Sequence, residues 1–545
     1  MNLRSLAACA VLLAACKESS APSTNRASLP PAAAARAEMK AVVGGLGEKR
    51  VAGAAVDLRA TNDGKTATFL LEAEKPRLDG IPPGLRVGEL HAIRTEGGES
   101  FKLGNGVTNT PGGYTFSPDG RWALVLVGFN FVDSQGELFA KDLSDPKKPR
   151  VRLGGEVTFM RASPDSKQVA FIEAGSLKVG PLPEGPFKDV ATAVQSAAFS
   201  PDGKALYFKR RLTQNGGLYV VPLGETLAAP KKLADQVGDW ETSADGKWVA
   251  YAVRTDTGRA TYDLAVADTT AWKSKKLAEN TCWFEFSPDS KWLAHTVGCK
   301  PGERAGDLFV GPADGGPARK LGEQVNEVRF SANSGAVAWL ELFDVTPREK
   351  GRLPTGIPAL AVLPDGAPRK VGRRAPHYEL SPDGKHLVFL EVAVRDTLPV
   401  YELMLHHVAA AAEEKPVLVT QGVFGYQFTP DSSRLLVRAM CIRDGRACDL
   451  LSFDPTRPAA PPNKLVEQVF SFKVSEDSSR VLTTYARMQG ETYDVAVVNL
   501  KTGALKTLEQ IIQLPALFTK PDGSEVVYAV ADKSRPGVYV CKQVP

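Results

Sequence analysis

The sequence predicts an all-β protein of β-propeller blades, each a sheet of four antiparallel strands, in about eleven repeats shared between two propellers. Three observations predict it. A turn segment of the Ser-Pro-Asp-Gly type recurs along the 545 residues, apolar runs of strand length flank it, and 49 Gly and 39 Pro provide turns in number.

The clear copies are Phe116-Ser-Pro-Asp-Gly-Arg121, Ala162-Ser-Pro-Asp-Ser-Lys167, Phe199-Ser-Pro-Asp-Gly-Lys204, Thr242-Ser-Ala-Asp-Gly-Lys247, Phe286-Ser-Pro-Asp-Ser-Lys291, Leu380-Ser-Pro-Asp-Gly-Lys385, Phe428-Thr-Pro-Asp-Ser-Ser433, Val474-Ser-Glu-Asp-Ser-Ser479 and Thr519-Lys-Pro-Asp-Gly-Ser524. Their acidic position is Asp119, Asp165, Asp202, Asp245, Asp289, Asp383, Asp431, Asp477 and Asp522. Weaker copies at Asp63 and Asn333 complete a series with a mean spacing of about 46 residues, a blade-sized period.

The local chemistry is that of a hairpin. Ser first, Pro second with its fixed φ, Asp third and Gly fourth suit a type I turn. Runs such as Trp122-Ala-Leu-Val-Leu-Val127 and Val169-Ala-Phe-Ile172 after the turn read as buried strands. A third apolar segment follows, as in Leu218-Tyr-Val-Val-Pro-Leu223 or Tyr493-Asp-Val-Ala-Val-Val498, and a fourth of the type Lys231-Lys-Leu233 ends the unit. Four short strands per period make one blade. The repeated Asp is therefore read as a turn cap rather than as a calcium or catalytic ligand.

These turns resemble the WD-like repeats of TolB-like propellers and of the amino-terminal propellers of prolyl oligopeptidase-type enzymes. The resemblance runs over roughly residues 50 to 545. It implies propeller architecture, with degenerate blades expected at Asn333 and Asp63. In TolB it implies docking to a peptidoglycan-associated lipoprotein, a partner not carried over, because no TolB amino-terminal domain is evident here.

Eleven blades exceed the usual four to eight about one axis, so two propellers are expected. The 50-residue spacing from Asn333 to Asp383 holds a long loop, 344–354, and places the boundary between 320 and 370. The expected division is a first propeller of six blades over 46–325 and a second of five over 326–545, with seven plus four next. The last copy ends after its third apolar segment, so a strand near Arg50-Val51-Ala52, or one from mid-chain, is expected to close a ring.

The first residues carry one positive charge, Arg4, then an apolar run from Leu6 to Ala15, too short to span a membrane and typical of a cleaved signal. Residues 1–15 are read as that signal. The join Leu13-Ala-Ala-Cys16 resembles the bacterial lipobox, which implies lipidation of Cys16 and anchoring to a membrane. Residues 16–45, rich in Ala, Ser and Pro, are read as a flexible tether. Lys17 stands where an Asp favours inner-membrane retention in enteric bacteria. The resemblance therefore implies an outer-membrane protein of the cell envelope.

An exported chain admits disulfides. Cys441 and Cys448 lie symmetrically about Asp444-Gly445, a preferred hairpin turn, and Cys282 and Cys299 nearly so about Pro288-Asp289-Ser290, so both pairs are expected to be bridged. Cys541 is left over, buried or paired with another chain.

A net charge of +5, spread evenly, disfavours nucleic acid as a partner. No Gly-x-Ser-x-Gly elbow, His-Glu-x-x-His or Cys-x-x-Cys occurs, so no catalytic residue, metal ligand or cofactor is assigned. His377, His386, His406 and His407 fall within one blade and are read as ordinary core or surface residues. Trp122, Trp248 and Trp292, each just after a turn, are read as packing rather than as sugar platforms.

The leading expectation is a non-catalytic scaffold that docks another envelope protein on its loop faces. The alternatives are a propeller enzyme acting on glycans or peptides, with carboxylates such as Glu173 or Glu391, and a ligand-binding lipoprotein with a deep polar pocket.

Overall fold

A short apolar strand must pair along its edges and be covered on both faces before its burial is complete, and the repeat provides for both. The computed structural model describes residues 47–542 and Val544, apart from 77–81, 83, 212–215, 256–261, 300–304, 345–353, 396–397, 412, 443–446 and 487–491. Among the described residues there are forty strands and no helix. Cys16, the signal and the whole of the tether lie outside the described residues.

The strands form eleven antiparallel blades of four. Blades 1 to 4 span 55–108, 114–155, 157–191 and 194–235; blades 5 to 7 span 237–279, 281–323 and 325–370. Blades 8 to 10 span 378–421, 425–469 and 471–510. Blade 11 takes three strands from 512–542 and its fourth from Glu48–Ala52. Four long strands, Val151–Ala162, Ser274–Phe286, Arg319–Phe330 and Leu505–Phe518, serve as the last strand of one blade and the first of the next. The two weak repeats are complete blades, not degenerate ones. At Asn333 the amide oxygen does the aspartate's work, accepting from Ser331 Oγ at 2.7 Å and from the Gly335 N–H at 3.0 Å.

Each turn joins the first and second strands, and ten of the eleven are locked the same way, the longer turn of blade 11 holding its Thr519 hydroxyl on Glu525 instead. In blade 4 the Gly203 N–H donates to the Ser200 carbonyl, Ser200 Oγ donates to Asp202 Oδ1 at 2.6 Å, and the N–H groups of Lys204 and Ala205 donate to Asp202 Oδ1 and Ser200 Oγ. The fourth turn residue has positive φ in all eleven blades. Six times it is Gly, for which this is free; five times it is Ser, with φ between 59° and 64°. Every one of those serines, at 166, 290, 334, 432 and 478, accepts from the turn Asp N–H of the preceding blade at 2.9 to 3.0 Å. A bond to the neighbour thus offsets the cost of a left-handed side chain.

The turns also form a continuous series. Those of blades 1 and 2 are joined by Asn62 Nδ2 donating to the Pro118 carbonyl, and those of 7 and 8 by Asn333 Nδ2 donating to the Asp383 carbonyl. Blades 10 and 11 are joined by the Asp477 N–H donating to the Pro521 carbonyl. The series returns to its start at Gly64, where a Cβ would fall 1.5 Å from the Thr519 carbonyl oxygen, so only glycine fits.

Packing follows the same order. Eleven apolar cores lie between successive blades, including one of Ala294, Val310 and Leu321 with Val337 and Trp339 between blades 6 and 7. Another joins blade 11 to blade 1, with Val527, Val538 and Val540 against Ala55, Leu58 and Phe69. Val51 on the amino-terminal strand enters that last core. Glu48–Ala52 pairs antiparallel with Gly537–Lys542, so the chain's first strand completes its last blade, as the 50–52 segment was expected to do.

The expected boundary between 320 and 370 finds no seam. One ten-stranded sheet runs from Val237 through Lys370, and the long loop is an insertion between two paired strands of blade 7, Ala336–Asp344 and Thr355–Val362, rather than a linker. The division at 325/326 into six and five blades is not marked in the packing, because blades 6 and 7 share a core as the other neighbours do.

Two outcomes follow. Val51→Asp places a charge in the closing core and should cost about 3 kcal/mol or more, read as a lower chemical-denaturation midpoint; an unchanged midpoint would remove the strand from the closure. Ser290→Ala loses the bond to Asp245 while keeping the left-handed backbone and should cost about 1 kcal/mol, whereas Ser290→Gly relieves the backbone and should be near neutral. Equal losses in the two variants would contradict the compensation.

Candidate functional site

In a radial array the inner strands of neighbouring blades converge. First strands touch here: Tyr114 Oη of blade 2 donates to Asp57 Oδ2 of blade 1 at 2.9 Å, and Tyr378 Oη of blade 8 donates to the Glu327 carbonyl of blade 7. Fourth strands such as Lys231–Asp235 are largely exposed. The first strand is therefore the inner edge of each blade.

Positions two to four residues before each turn lie on that edge. Across blades 5 to 8 they carry Asp239, Glu241, Glu285, Glu327, Arg329, His377 and Glu379, an acidic arc with one arginine and one histidine. On the remaining blades Lys473, Arg59 and Arg161 take the same row. The arc is densest where blades 7, 8 and 9 meet. His377 Nδ1 lies 3.9 Å from Glu327 Oε2, and its ring centroid is 5.9 Å from that of Tyr426. Tyr426 Oη is shut off from solvent and has no hydrogen-bond partner. Tyr378, its counterpart in blade 8, reaches the Ala338 carbonyl at 2.7 Å.

Burial pushes the Glu379 carboxyl up to about 7, against the opposing pull of His377, the Phe428 N–H and Arg329. Burial likewise holds the Tyr426 phenol well above its ordinary range, with Glu379 adding to the effect. The inner edge of blades 7 to 9 thus offers a carboxyl that changes charge near neutrality, a spare hydroxyl, an imidazole and a guanidinium. Such a set can bind a polar ligand or exchange a proton with one.

The residues singled out in the sequence fall elsewhere. The nine turn aspartates form the ring of turn locks, each held below the usual carboxylate range; the Ser163 hydroxyl does most of this at Asp165, and the Ser524 N–H at Asp522. Glu173 and Glu391 do not meet at the inner edge. Both sit ten residues after a turn serine, as does Glu341, and each clasps the blade before it: Glu173 accepts from the Gly155 N–H at 2.6 Å, Glu341 from the Glu323 N–H at 3.3 Å, and Glu391 from the Arg373 N–H at 2.7 Å. Arg373 Nε adds an ion pair to Glu391 at 2.7 Å. These carboxylates hold strands together.

The four histidines of blade 8 do not converge. His386 and His407 pair across two strands with rings 4.9 Å apart, His406 is buried on the adjoining register position, and His377 stands apart, just before the first strand. Among the described residues no three metal-ligating side chains cluster. Trp122 packs in the core between blades 2 and 3, and Trp248 and Trp292 pack against the cores on either side of blade 6.

Cys282–Cys299 and Cys441–Cys448 are both disulfides. Each crosses a strand pair at the end opposite the turns, in blades 6 and 9; the Asp444-Gly445 turn itself lies outside the described residues. Cys541 is a buried free thiol in the core of blades 10 and 11, raised by burial, which accounts for it without a second chain. Sequence reading missed Glu379 and Tyr426, although counting back from each turn serine to the first strand would have placed them on one edge.

No protein-family model matches the chain, and no curated protein matches it. Among solved structures it is similar to a crystal structure of a eukaryotic initiation factor, at 14% identity and a TM-score of 0.40, over 68% of this chain and 94% of that one. It is also similar to a crystal structure of the tricorn protease, at 12% identity and a TM-score of 0.31, over 89% of this chain and 56% of that one.

The raised Glu379 carboxyl has a stability consequence. Its folded value lies above the unfolded one near 4.5, so the cost of burying its charge is absent at pH 4, grows as pH rises through 7 and is full above it. Glu379→Gln should therefore gain stability relative to the native chain between pH 5 and 8, on the order of 1 kcal/mol or more by denaturant titration. A difference that does not change with pH would place Glu379 at an ordinary pKa.

Proposed function

We propose that this chain is an envelope lipoprotein, anchored through Cys16 to the outer membrane, that serves as a non-catalytic protein-binding scaffold. Its partner presents a basic side chain to the acidic arc on the inner edges of blades 5 to 8. The observation that supports this most is the set of Glu379, Glu327, His377 and Tyr426. A buried hydroxyl without a partner and a carboxyl driven toward neutrality both cost stability, and the blade repeat requires neither of them. A lysine or arginine from a partner would pair with Glu379 and Glu327 and restore the charged carboxylate. The lipobox-like Leu13-Ala-Ala-Cys16 and the Lys17 beside it support the anchoring.

The test is in-cell photocrosslinking from an unnatural residue at Gln427, beside the arc, with identification of the adduct. The native chain should yield one specific envelope protein. Glu379→Lys should lower the yield at least about tenfold, in proportion to the lost charge pairing. Cys16→Ala should move the chain to the soluble fraction. Recovery of no specific protein, or a yield indifferent to Glu379→Lys, overturns the reading.

A second reading rests on Glu379 alone. A carboxyl near 7 is suited to general acid catalysis on a glycan or peptide. Turnover of peptidoglycan fragments or peptides by the native chain, lost in Glu379→Gln, would favour it over the scaffold.

A further inference from the structure

Just after each turn the start of the second strand faces the end of the third, and the two facing residues differ in every other blade than the eighth. Trp122 faces Asp142, Trp292 faces Pro312, Ala336 faces Val362, Arg480 faces Asn499 and Glu525 faces Lys542. Blade 8 sets two identical bases there, His386 against His407.

A lone buried imidazole needs no ligand to explain it. His295 of blade 6 stands where Phe171, Phe208, Tyr251, Trp339 and Phe389 stand in other blades, eight residues after the first turn residue, and stacks on Phe309 with centroids 5.7 Å apart. It fills the place of a ring. Two imidazoles set opposite each other are another matter, because neither carries a charge that complements the other and a proton on one opposes a proton on its neighbour.

The strand register brings the pair close. The His386 N–H donates to Ser381 Oγ and its carbonyl accepts from the Ser381 N–H, so both backbone groups are committed on the turn side. The pair with His407 is therefore of the non-hydrogen-bonded kind, in which facing side chains approach most closely. His386 is 5% exposed, lies 6.4 Å from the Phe428 ring of blade 9, and has no hydrogen-bond partner at Nδ1. Burial, and then His407, lower its pKa, so the ring stays neutral and keeps a lone pair at physiological pH. His407 is half-buried, which leaves the pair open to solvent on its side.

The spacing suits a shared ion. The ring centroids lie 4.9 Å apart. With a metal–nitrogen bond of about 2.05 Å and a ring nitrogen about 1.15 Å from its centroid, two imidazoles at that separation and aimed at one ion would meet it at about 100°, between the square-planar and tetrahedral angles. The charge around them is near balance, with Asp383 and Asp454 against Lys385 and Arg457, so the imidazoles set the selectivity. They favour first-row divalent ions such as Zn²⁺, Ni²⁺ and Cu²⁺ over Mg²⁺ and Ca²⁺, which require oxygen. Among the described residues no third donor joins them, so water completes the coordination.

We propose that His386 and His407 chelate one divalent transition-metal ion across the second and third strands of blade 8, at the turn end of its interface with blade 9. The site uses none of the inner-edge residues, and its failure leaves the scaffold reading untouched.

The probe is Cu²⁺, titrated into the full chain in detergent with glycine as a competing chelator to suppress weaker sites, and read by equilibrium dialysis and electron paramagnetic resonance. One ion per chain should bind, with a spectrum that shows coupling to two imidazole nitrogens. His386→Phe and His407→Gln should each weaken binding at least about tenfold and reduce the coupling to one nitrogen. His407→Gln, at the half-buried position, keeps the test decisive should His386→Phe fold poorly. No saturable binding of one equivalent, or binding indifferent to both substitutions, overturns the proposal.

Discussion

Each blade is apolar on two faces, and a linear stack of such sheets always leaves two faces wet. The only arrangement that covers both faces of every blade is one in which the last packs on the first. That demand falls on a few residues. Val51, Ala55, Leu58 and Phe69 must meet Val527, Val538 and Val540, and the strand Glu48–Ala52 must add to the edge of Gly537–Lys542. Closure joins residues almost five hundred positions apart, so it costs loop entropy that no local contact offsets. It is stabilising only because it completes two interfaces together, the sheet edge of blade 11 and the core between blades 11 and 1.

Within that frame the turn lock sets the spacing. The hydroxyl, carboxylate and N–H groups of Ser, Asp and the residues after them satisfy one another, which fixes the hairpin before any blade finds a neighbour. The fourth turn position then admits two solutions. Glycine accepts the left-handed backbone at no cost, and serine accepts it because its hydroxyl takes the N–H of the preceding aspartate. Serine at that position therefore adds its own bond to the blade before it, whereas the glycine turns of blades 2, 8 and 11 are joined to theirs through other groups.

This explains what was legible in the sequence. The turn lock is local, so its eleven copies, the strands beside them and both disulfides could be read from spacing alone. The boundary could not. The 50-residue interval from Asn333 to Asp383 signals inserted chain but not where it goes, and the added residues lie between two paired strands of blade 7. Function was harder still. Glu173 and Glu391 attract notice as lone carboxylates near strand ends, yet their partners are backbone N–H groups of another blade, which no spacing within one repeat shows. Glu379 and Tyr426 lie in different repeats and meet only because the inner strands converge.

The same geometry separates two kinds of departure from the repeat. Inner-edge side chains are released from packing by convergence, so polar residues can gather there with little harm to the cores; the arc of blades 5 to 8 is a departure of that kind. His295 is different, since it occupies a position the fold ordinarily gives to a buried ring. In an open stack an interface holding a buried polar ring would be the place where the array parts. In a closed succession that interface is held from both sides by the cores of blades 4 and 5 and of 6 and 7, and by the turn bond from Asp245 to Ser290. The ring can thus carry a buried polar side chain at one interface without opening at it, because the neighbouring cores hold that interface closed.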